Sequence, residues 1–310
     1  MNIPSVDLHQ FIHGSPSERS VFIQSLGDAF VDVGFVAVTN HGLAPSLIEE
    51  LYHKTRSFFE LTIEKKQSYE IPELHGQRGF TSFGKEHAKG SDAPDLKEFF
   101  QFGQVSDPNG LYPPNIYVKD IIDFNNTFES AFKAFESSGS YLLKAIATYL
   151  NLPSTYFDDF ISHGNSILRA IYYPPITTEP KSAIRAEQHE DINLITLLVG
   201  ASADGLQILT KQGEWLPVIT MPSQIVVNVG DMLQRLTNDT LKSTTHRVVN
   251  PPKELWHTPR FSIPFFLHPI SSMSLSCLDS CVSLSNPKKY DDISAGDYLN
   301  ERLMEIGLKK

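Results

Sequence analysis

Hydrophobic residues recur at helical spacing in three stretches of the N-terminal half of the chain. The segment 15–18 (Ser-Pro-Ser-Glu) has the form of a capping box with proline at the first helical position, and an apolar face follows from Phe22 to Val33. A short strand is expected at about 35–39, and helical periodicity returns near 45–61 and 119–150. We expect these apolar faces to pack in a core.

From about residue 166 the pattern changes to short β-rich runs separated by turn residues. These runs occupy 166–173, 193–199, 205–209, 214–219, 224–229, 243–249 and 260–267. Their regular spacing predicts an antiparallel sandwich or roll, of which the jelly roll closes most edges. We therefore expect a mainly β protein with flanking helices (α+β), with seven or eight principal strands between about 166 and 269.

The same pattern divides the chain into three regions of one unit. Residues 1–165 form a helical N-terminal region with a few strands, residues 166–269 form the β roll, and residues 270–310, with a helix from Ala295 to Ile306, pack on the roll. The region 73–118 is rich in Gly, Pro, Asp and His, so it is expected to be a long surface excursion. Because Pro264 cannot donate a ladder hydrogen bond, an edge or a bulge is expected there.

Composition and charge restrict the partners. The 310-residue chain has a formal net charge of −10, so we expect no nucleic-acid partner, which would need a basic stripe. No run approaches the roughly 18–20 apolar residues of a membrane span, and the N-terminus lacks the basic-then-apolar layout of a signal peptide. We expect no membrane association, and a cytoplasmic monomer that acts on a small molecule.

The chain has two cysteines, Cys277 and Cys281. They cannot form a disulfide framework in a chain of this length, which favours a reducing compartment. A Cys-x-x-x-Cys metal or redox site is an alternative, but the sequence contains no further cysteine to complete a cluster.

The most specific chemistry lies in His189-Glu190-Asp191 and in His246, 55 residues beyond Asp191. Residues two apart in a strand project from one face, so His189 and Asp191 should point together. Two imidazoles and a carboxylate on a β scaffold are the facial triad that holds non-haem Fe(II) and leaves positions open for oxygen and a cosubstrate. The other histidines lack a partner at ligand spacing and are expected to be structural or solvated: His9, His13, His41, His53, His75, His87, His163, His257 and His268.

A second pair, Arg260 and Ser262, is again spaced two apart in an apolar run. On one face of a strand they would present a guanidinium and a hydroxyl that could hold a carboxylate. The alternative interpretation is an arginine in a surface salt bridge. An inward arginine among Phe261, Ile263 and Phe265 needs a partner, and a bound anion is one that fits.

Ten segments of the chain, taken in order from Ile3 to about Pro269, resemble the isopenicillin-N-synthase-like branch of the iron- and 2-oxoglutarate-dependent oxygenases. The segments are Ile-Pro-Ser-Val-Asp-Leu (3–8), Gly-Phe-Val-Ala-Val-Thr-Asn-His-Gly-Leu (34–43), Arg-Gly-Phe (78–80), Asp-Leu-Lys-Glu-Phe-Phe (95–100), Tyr-Tyr-Pro-Pro (172–175), His-Glu-Asp-Ile-Asn-Leu-Ile-Thr-Leu-Leu (189–198), Asp-Gly-Leu-Gln (204–207), Val-Val-Asn-Val-Gly-Asp (226–231), His-Arg-Val-Val-Asn (246–250) and Arg-Phe-Ser-Ile-Pro-Phe-Phe (260–266).

This resemblance implies a distorted double-stranded β-helix, a form of jelly roll, with iron between its sheets. It implies three iron ligands: His189, Asp191 and His246. It also implies that Arg260 and Ser262 bind a carboxylate and that the Tyr173 hydroxyl contacts the same anion. The implied cofactor is Fe(II), with 2-oxoglutarate and O2 as cosubstrates.

Three functions are compatible with the sequence. The first is a dioxygenase that hydroxylates or desaturates a small molecule while 2-oxoglutarate is converted to succinate and CO2. The second is an Fe(II) oxidase of the isopenicillin-N-synthase or aminocyclopropanecarboxylate-oxidase type, in which Arg260 holds the substrate or another anion. The third, a non-catalytic ligand-binding β roll, is disfavoured because the three metal-ligand residues and the anion anchor are all present.

The substrate cannot be read from the sequence. Candidate contacts lie within 78–103, where basic and aromatic side chains could meet a small, partly apolar anion: Arg78, Lys85, Lys97, Phe80, Phe83, Phe99 and Phe100. The alternative, which we favour, is that Phe99 and Phe100 belong to the core and that Lys97 is solvated.

Overall fold

The computed structural model describes residues 3–86, 94–108, 110–200, 204–219, 221 and 223–305. The N-terminal elements are β1 (Ser5–Asp7), α1 (Leu8–Ile12), α2 (Pro16–Asp32), β2 (Phe35–Thr39), α3 (Pro45–Phe59), α4 (Ile63–Gln67), β3 (Gly79–Thr81), β4 (Glu98–Gly103), α5 (Phe124–Tyr149) and α6 (Asp158–Ile161). The capping box predicted at 15–18 is confirmed. The Ser15 hydroxyl accepts from the Glu18 amide, and the Glu18 carboxylate accepts from the Ser15 amide.

The described remainder of the chain supplies the roll and the C-terminal helix. Its elements are β5 (Ile167–Tyr173), β6 (Ala186–His189), β7 (Ile195–Val199), β8 (Leu206–Leu209), β9 (Trp215–Pro217), β10 (Ile225–Val229), α7 (Asp231–Leu236), β11 (His246–Val248), β12 (Arg260–Leu267) and α8 (Ala295–Glu305). Seven of these strands coincide with the predicted runs, and β6 was not predicted. Among the described helices, none has both the length and the apolar character that a bilayer crossing requires.

The strands form two sheets. The larger has the order β1-β2-β10-β7-β12-β5-β4-β3, and the smaller has the order β6-β11-β8-β9. Every pairing is antiparallel except that of β1 with β2. The two facing sheets, with helices outside the larger one, confirm the predicted mainly β jelly roll with flanking helices.

The expectation that 73–118 is a surface excursion is wrong for its strands. β4 pairs with β5 along six residues, and β3 pairs with β4, so this segment extends the larger sheet. All six residues of β4 are buried, including Phe99 and Phe100, which confirms that these two side chains belong to the core. The polar and glycine-rich composition of the segment concealed two short strands because their pairing partners are distant in sequence.

The expectation of an edge or a bulge at Pro264 is also wrong. β12 is an inner strand between β5 and β7. Pro264 is paired with Leu198 of β7, and the register with β5 is the same before and after Ile263 and Pro264. The missing N–H group is therefore tolerated within a central strand, and the register is kept by the residues on both sides.

Helix α5 packs against the larger sheet and forms the centre of the main core. Its Phe132 and Phe135 rings lie 5.1 and 5.4 Å from the Phe265 ring of β12. Near its start, Phe124 stacks on Phe128 at 4.2 Å and meets Phe100 edge-on at 5.3 Å. This aromatic packing fixes the outer face of the sheet whose inner face carries the site described below.

We expect Phe124→Ala to lower the free energy of unfolding by about 3–5 kcal/mol, because Phe124 is fully buried and the substitution leaves a cavity. The matched control is Ile122→Ala, two residues earlier. Its side chain is 83% exposed, so a change within about 0.5 kcal/mol is expected. Denaturant unfolding of both variants measures the difference, and equal stabilities would contradict the described core.

Candidate metal centre and cosubstrate site

A cavity of about 200 Å³ lies between the two sheets. Alternate residues along β12, and the residue directly after it, line this cavity: Arg260, Ser262, Pro264, Phe266 and His268. The intervening residues belong to the hydrophobic core on the other face of the sheet: Phe261, Ile263, Phe265 and Leu267. The period of two along the strand thus separates a chemical face from a packing face.

The three predicted metal ligands meet at one wall of this cavity. His189 ends β6 and His246 begins β11, and the two are direct partners in the antiparallel ladder, with ring centroids 4.4 Å apart. Asp191 Oδ1 lies 3.9 Å from His189 Nε2 and 3.7 Å from His246 Nε2. Asp191 lies two residues beyond β6, in the turn before β7, so the expectation that His189 and Asp191 share one strand face is wrong.

Backbone carbonyls orient both imidazoles. His189 Nδ1 lies 2.7 Å from the carbonyl oxygen of Glu187, and His246 Nδ1 lies 3.1 Å from that of Thr244. Since a carbonyl only accepts, each Nδ1 donates and each Nε2 keeps its lone pair for a ligand in the cavity. Burial, together with the neighbouring His246, lowers the pKa of His189 to about 4, which keeps this imidazole neutral.

Asp191 is held by a cross-strand pair. Its Oδ2 accepts hydrogen bonds from Thr196 Oγ1 at 2.6 Å and Asn228 Nδ2 at 2.8 Å, and these two residues are direct partners on β7 and β10. Burial opposes ionisation of Asp191, but the two imidazoles and these hydrogen bonds outweigh it and lower the pKa of the carboxyl. Oδ1 therefore remains as a negatively charged atom that faces the two histidines and can bind a metal ion.

These donors fit a divalent ion. Metal bonds to nitrogen and oxygen ligands measure roughly 2.0–2.2 Å, and the three donor atoms lie within 4.8 Å of one another, so one ion can contact all three. Two imidazoles and one carboxylate match the set that Fe(II) takes in non-haem oxygenases. Within the described part of the chain, no other group of three His, Cys, Asp or Glu side chains has this arrangement.

The predicted anion anchor lies in the same cavity. Arg260 and Ser262 begin β12 and are 1% and 4% exposed. Tyr173 is the direct partner of Arg260 on β5, and its ring centroid lies 5.0 Å from the guanidinium carbon. The structure thus brings the three residues together, with a permanent positive charge and hydroxyl groups facing the space beside the triad.

A network of buried charges lines another part of the cavity. Lys97 Nζ lies 2.8 Å from Asp95 Oδ2 and 2.6 Å from Glu86 Oε1, and Arg169 Nη1 lies 3.2 Å from Glu86 Oε2. Burial raises the pKa of Glu86, but Arg169 and Lys97 outweigh it and lower that pKa to about 2. Lys97 is 7% exposed, so the expectation that it is solvated is wrong.

Several residues of the cavity were not predicted from the sequence. His268 lies two residues beyond Phe266, so continuing the alternation of 260, 262, 264 and 266 would have placed it on the cavity face. Arg169 has the same signal, since it lies between Ile167 and Ile171 in a strand whose odd-numbered residues line the cavity.

Helix α8 borders the cavity through Leu299, Arg302 and Leu303. Arg302 Nη2 lies 3.2 Å from Asp231 Oδ2, which also accepts a hydrogen bond from the Tyr298 hydroxyl at 3.2 Å. Since Asp231 donates its backbone N–H to the carbonyl oxygen of Asp191, the C-terminal helix is connected to the segment that carries the Asp191 carboxylate.

The chain is similar to known non-haem oxygenases along most of its length. Residues 3–120 match the family model described as the N-terminal region of non-haem dioxygenase in morphine synthesis, and residues 164–269 match that of the 2OG-Fe(II) oxygenase superfamily. A proline hydroxylase, buaE, from Petromyces alliaceus is 34% identical and aligns over 98% of this chain and 99% of its own length.

Solved structures show the same fold. A protein from Caulobacter crescentus assigned to the 2OG-Fe(II) oxygenase family is 38% identical, with a TM-score of 0.88 over 98% of this chain and 99% of that one. A full-length Neurospora crassa protein in complex with alpha-KG is 31% identical, with a TM-score of 0.87 over 97% and 95%. The chain therefore belongs to the 2OG-Fe(II) oxygenase superfamily and is an oxidoreductase that uses Fe(II) and 2-oxoglutarate.

Proposed function

We propose that His189, Asp191 and His246 hold the catalytic Fe(II) and that the chain oxidises a small molecule bound in the cavity between its sheets. One observation carries this proposal. One nitrogen or oxygen atom of each side chain faces the other two, while its remaining nitrogen or oxygen atom already forms a hydrogen bond to a neighbouring group. Bound Fe(II) supplies the activation of O2 that couples conversion of 2-oxoglutarate to succinate and CO2 with hydroxylation or desaturation of a substrate C–H bond.

Arg260, Ser262 and Tyr173 are the proposed anchor of the distal carboxylate of 2-oxoglutarate. A guanidinium donates two parallel hydrogen bonds to a carboxylate, and the Ser262 hydroxyl adds a further donor from the same strand face. Because Arg260 is 1% exposed, its charge interacts with an anion in a medium that screens it little. The anchor and the triad lie in one cavity, so a short dicarboxylate could reach both.

The surroundings of the site can exclude water from the reaction. Leu299 and Leu303 of α8 cover one side, and Pro264 and Phe266 of β12 present apolar groups from the larger sheet. Exclusion of water protects a reactive oxidant and strengthens the electrostatic interactions within the cavity.

The relatives favour 2-oxoglutarate dependence over the two alternatives left by the sequence. An Fe(II) oxidase that uses no 2-oxoglutarate would also need the triad and Arg260. However, the relatives include several 2-oxoglutarate-dependent dioxygenases, and the Neurospora crassa protein has been solved with alpha-KG bound. A non-catalytic β roll would not need the two hydrogen bonds that Thr196 and Asn228 donate to Asp191.

We expect the purified protein to convert 2-oxoglutarate to succinate in an Fe(II)-dependent reaction that a substrate accelerates. Removing the metal with a chelator should abolish succinate release, and adding Fe(II) back should restore it, because the triad is the proposed binding site. Succinate release can be followed during a screen of metabolites. Release that persists in metal-free protein would contradict the proposal.

A cytoplasmic monomer is the proposed working form of the enzyme. The free thiols of Cys277 and Cys281 support a reducing compartment. Cell fractionation and sedimentation of the purified protein test the two statements separately.

A further inference from the structure

Arg169 is fixed at the β4–β5 side of the cavity. Its guanidinium carbon lies 4.2 Å from the Phe99 ring centroid and 5.2 Å from that of Phe266. Its Nε donates to Gln101 Oε1 at 2.9 Å, and its Nη1 donates to both carboxylate oxygens of Glu86 at 3.3 and 3.2 Å. An arginine held by two rings and three hydrogen bonds loses little further conformational entropy when it binds a ligand.

The described residues leave one nitrogen of this guanidinium, Nη2, without a hydrogen-bond acceptor. Among the described residues, none accepts a hydrogen bond from Arg169 Nη2, while the side chain lines the cavity. The His268 imidazole lines the same cavity and lies near Arg169 and Asp191. Burial lowers the pKa of His268 to about 3, so this ring is neutral and can donate from one nitrogen or accept at the other.

The charges around the cavity cancel. Its described lining contains four carboxylates and four basic side chains: Glu86, Asp95, Glu190, Asp191, Lys97, Arg169, Arg260 and Arg302. Fe(II) and the dianion of 2-oxoglutarate also cancel each other, so the loaded site has no net charge for a substrate to neutralise.

We propose that the substrate is an uncharged small molecule with a carbonyl group, such as an amide or an imide, whose oxygen accepts a hydrogen bond from Arg169 Nη2 beside His268. This inference rests on the proposed function. It differs from the small anion that the basic residues of the sequence suggested.

Glu86 is the reason that an anion is disfavoured. Its carboxylate already neutralises Arg169 at 3.2 Å and Lys97 at 2.6 Å. A carboxylate bound to Nη2 would be buried close to Glu86 without a further counter-charge, which is costly in a medium of low dielectric constant. A neutral carbonyl accepts the same hydrogen bond without that cost.

The test uses two matched pairs of probes with the Fe(II) protein under anaerobic conditions and saturating 2-oxoglutarate. The pairs are thymine with uracil-5-carboxylate, and N-acetyl-L-prolinamide with N-acetyl-L-proline. At least one neutral member should bind about 10-fold to 100-fold more tightly than its charged counterpart. Failure of both neutral probes to bind, or equal or tighter binding of the charged member in every pair that binds, overturns the inference.

The variant Glu86→Gln should shift selectivity in the opposite direction from that of the wild type. Without the carboxylate, the charges of Arg169 and Lys97 are no longer balanced, so selectivity should shift towards the charged member by about 10-fold or more. The control Glu214→Gln removes an exposed carboxylate outside the cavity and should leave selectivity unchanged. Unchanged selectivity in Glu86→Gln overturns the inference.

The double variant E86Q/R169Q removes both charges of the Glu86–Arg169 ion pair, so neither charge is left buried without its partner. It should lose the preference for the neutral probe but still bind 2-oxoglutarate. Binding of 2-oxoglutarate distinguishes failure of the proposed function from failure of the proposed substrate class. Its absence in the wild type contradicts the proposed function, whereas its presence together with a preference for anions contradicts only the substrate class. A preference for the neutral probe that persists in E86Q/R169Q contradicts the role of Arg169.

Discussion

Replacing Asp191 with alanine is expected to abolish turnover and to weaken Fe(II) binding by more than about 100-fold. Loss of an outer partner of a metal ligand typically costs 10-fold to 100-fold in affinity or activity, so loss of the ligand itself should cost more. The fold should survive, because the substitution removes a buried charge whose partners are the two imidazoles, Thr196 and Asn228. Metal titration with a competing chelator measures the affinity, and circular dichroism checks the fold.

Glu190→Gln is the matched control for Asp191→Ala. Glu190 is the neighbouring carboxylate, and its Oε1 accepts a hydrogen bond from Thr245 Oγ1 at 2.9 Å. It is not part of the group of donor atoms that face one another, so Fe(II) affinity should change little. Equal Fe(II) affinity in the wild type and Asp191→Ala would remove Asp191 from the metal site.

Replacing Arg260 with alanine is expected to weaken 2-oxoglutarate binding by about 30-fold to several thousand-fold. Removing a buried, charge-assisted hydrogen-bond donor costs on the order of 2–5 kcal/mol. Arg260→Lys should recover only part of the affinity, because an ammonium cannot reproduce the planar pair of donors. Fe(II) affinity should barely change, since Arg260 is not a metal ligand. Equilibrium binding to the anaerobic Fe(II) protein measures both quantities.

Arg247→Ala is the control for Arg260→Ala. Arg247 lies on β11, but its side chain stacks on Trp215 at 4.0 Å and bonds to Gln207, so it does not line the cavity. Its loss should leave 2-oxoglutarate affinity unchanged. Unaltered affinity in Arg260→Ala, or an equal loss in Arg247→Ala, would show that the cosubstrate carboxylate is held elsewhere.

The local pattern of the sequence predicted most of the elements. Long apolar faces identified α2, α3 and α5, and runs of β-branched residues identified seven strands of the roll. β6 was missed because Ala-Glu-Gln-His has neither an apolar run nor a clean alternation. It is a strand because β11 pairs with it, and that partner lies more than fifty residues away.

The meeting of the three candidate metal ligands was predicted for a partly correct reason. Spacing of two in a strand suggested that His189 and Asp191 project together, and they do meet, but through the turn after β6. His246 joins them because the ladder of β6 and β11 aligns the two histidines. Thr196 and Asn228 could not be assigned from the sequence, because their common bond to Asp191 depends on the register between β7 and β10.

The charged network was the least predictable part of the site. Glu86, Asp95, Lys97 and Arg169 come from separate segments, and each alone is typical of a solvated surface residue. They are buried together because β4 pairs with β5, which brings the segment around Lys97 to the cavity. Local composition has no information on such pairing, and the same composition suggested a loop.

Diffraction from crystals grown anaerobically with Fe(II) and 2-oxoglutarate, with anomalous data at the iron edge, tests the proposed site most directly. We predict a single anomalous peak per chain, bonded to His189 Nε2, Asp191 Oδ1 and His246 Nε2. We also predict that the distal carboxylate of 2-oxoglutarate lies against Arg260 and Ser262. An iron peak away from these three atoms, or a cosubstrate carboxylate that does not contact Arg260, would contradict the assignment.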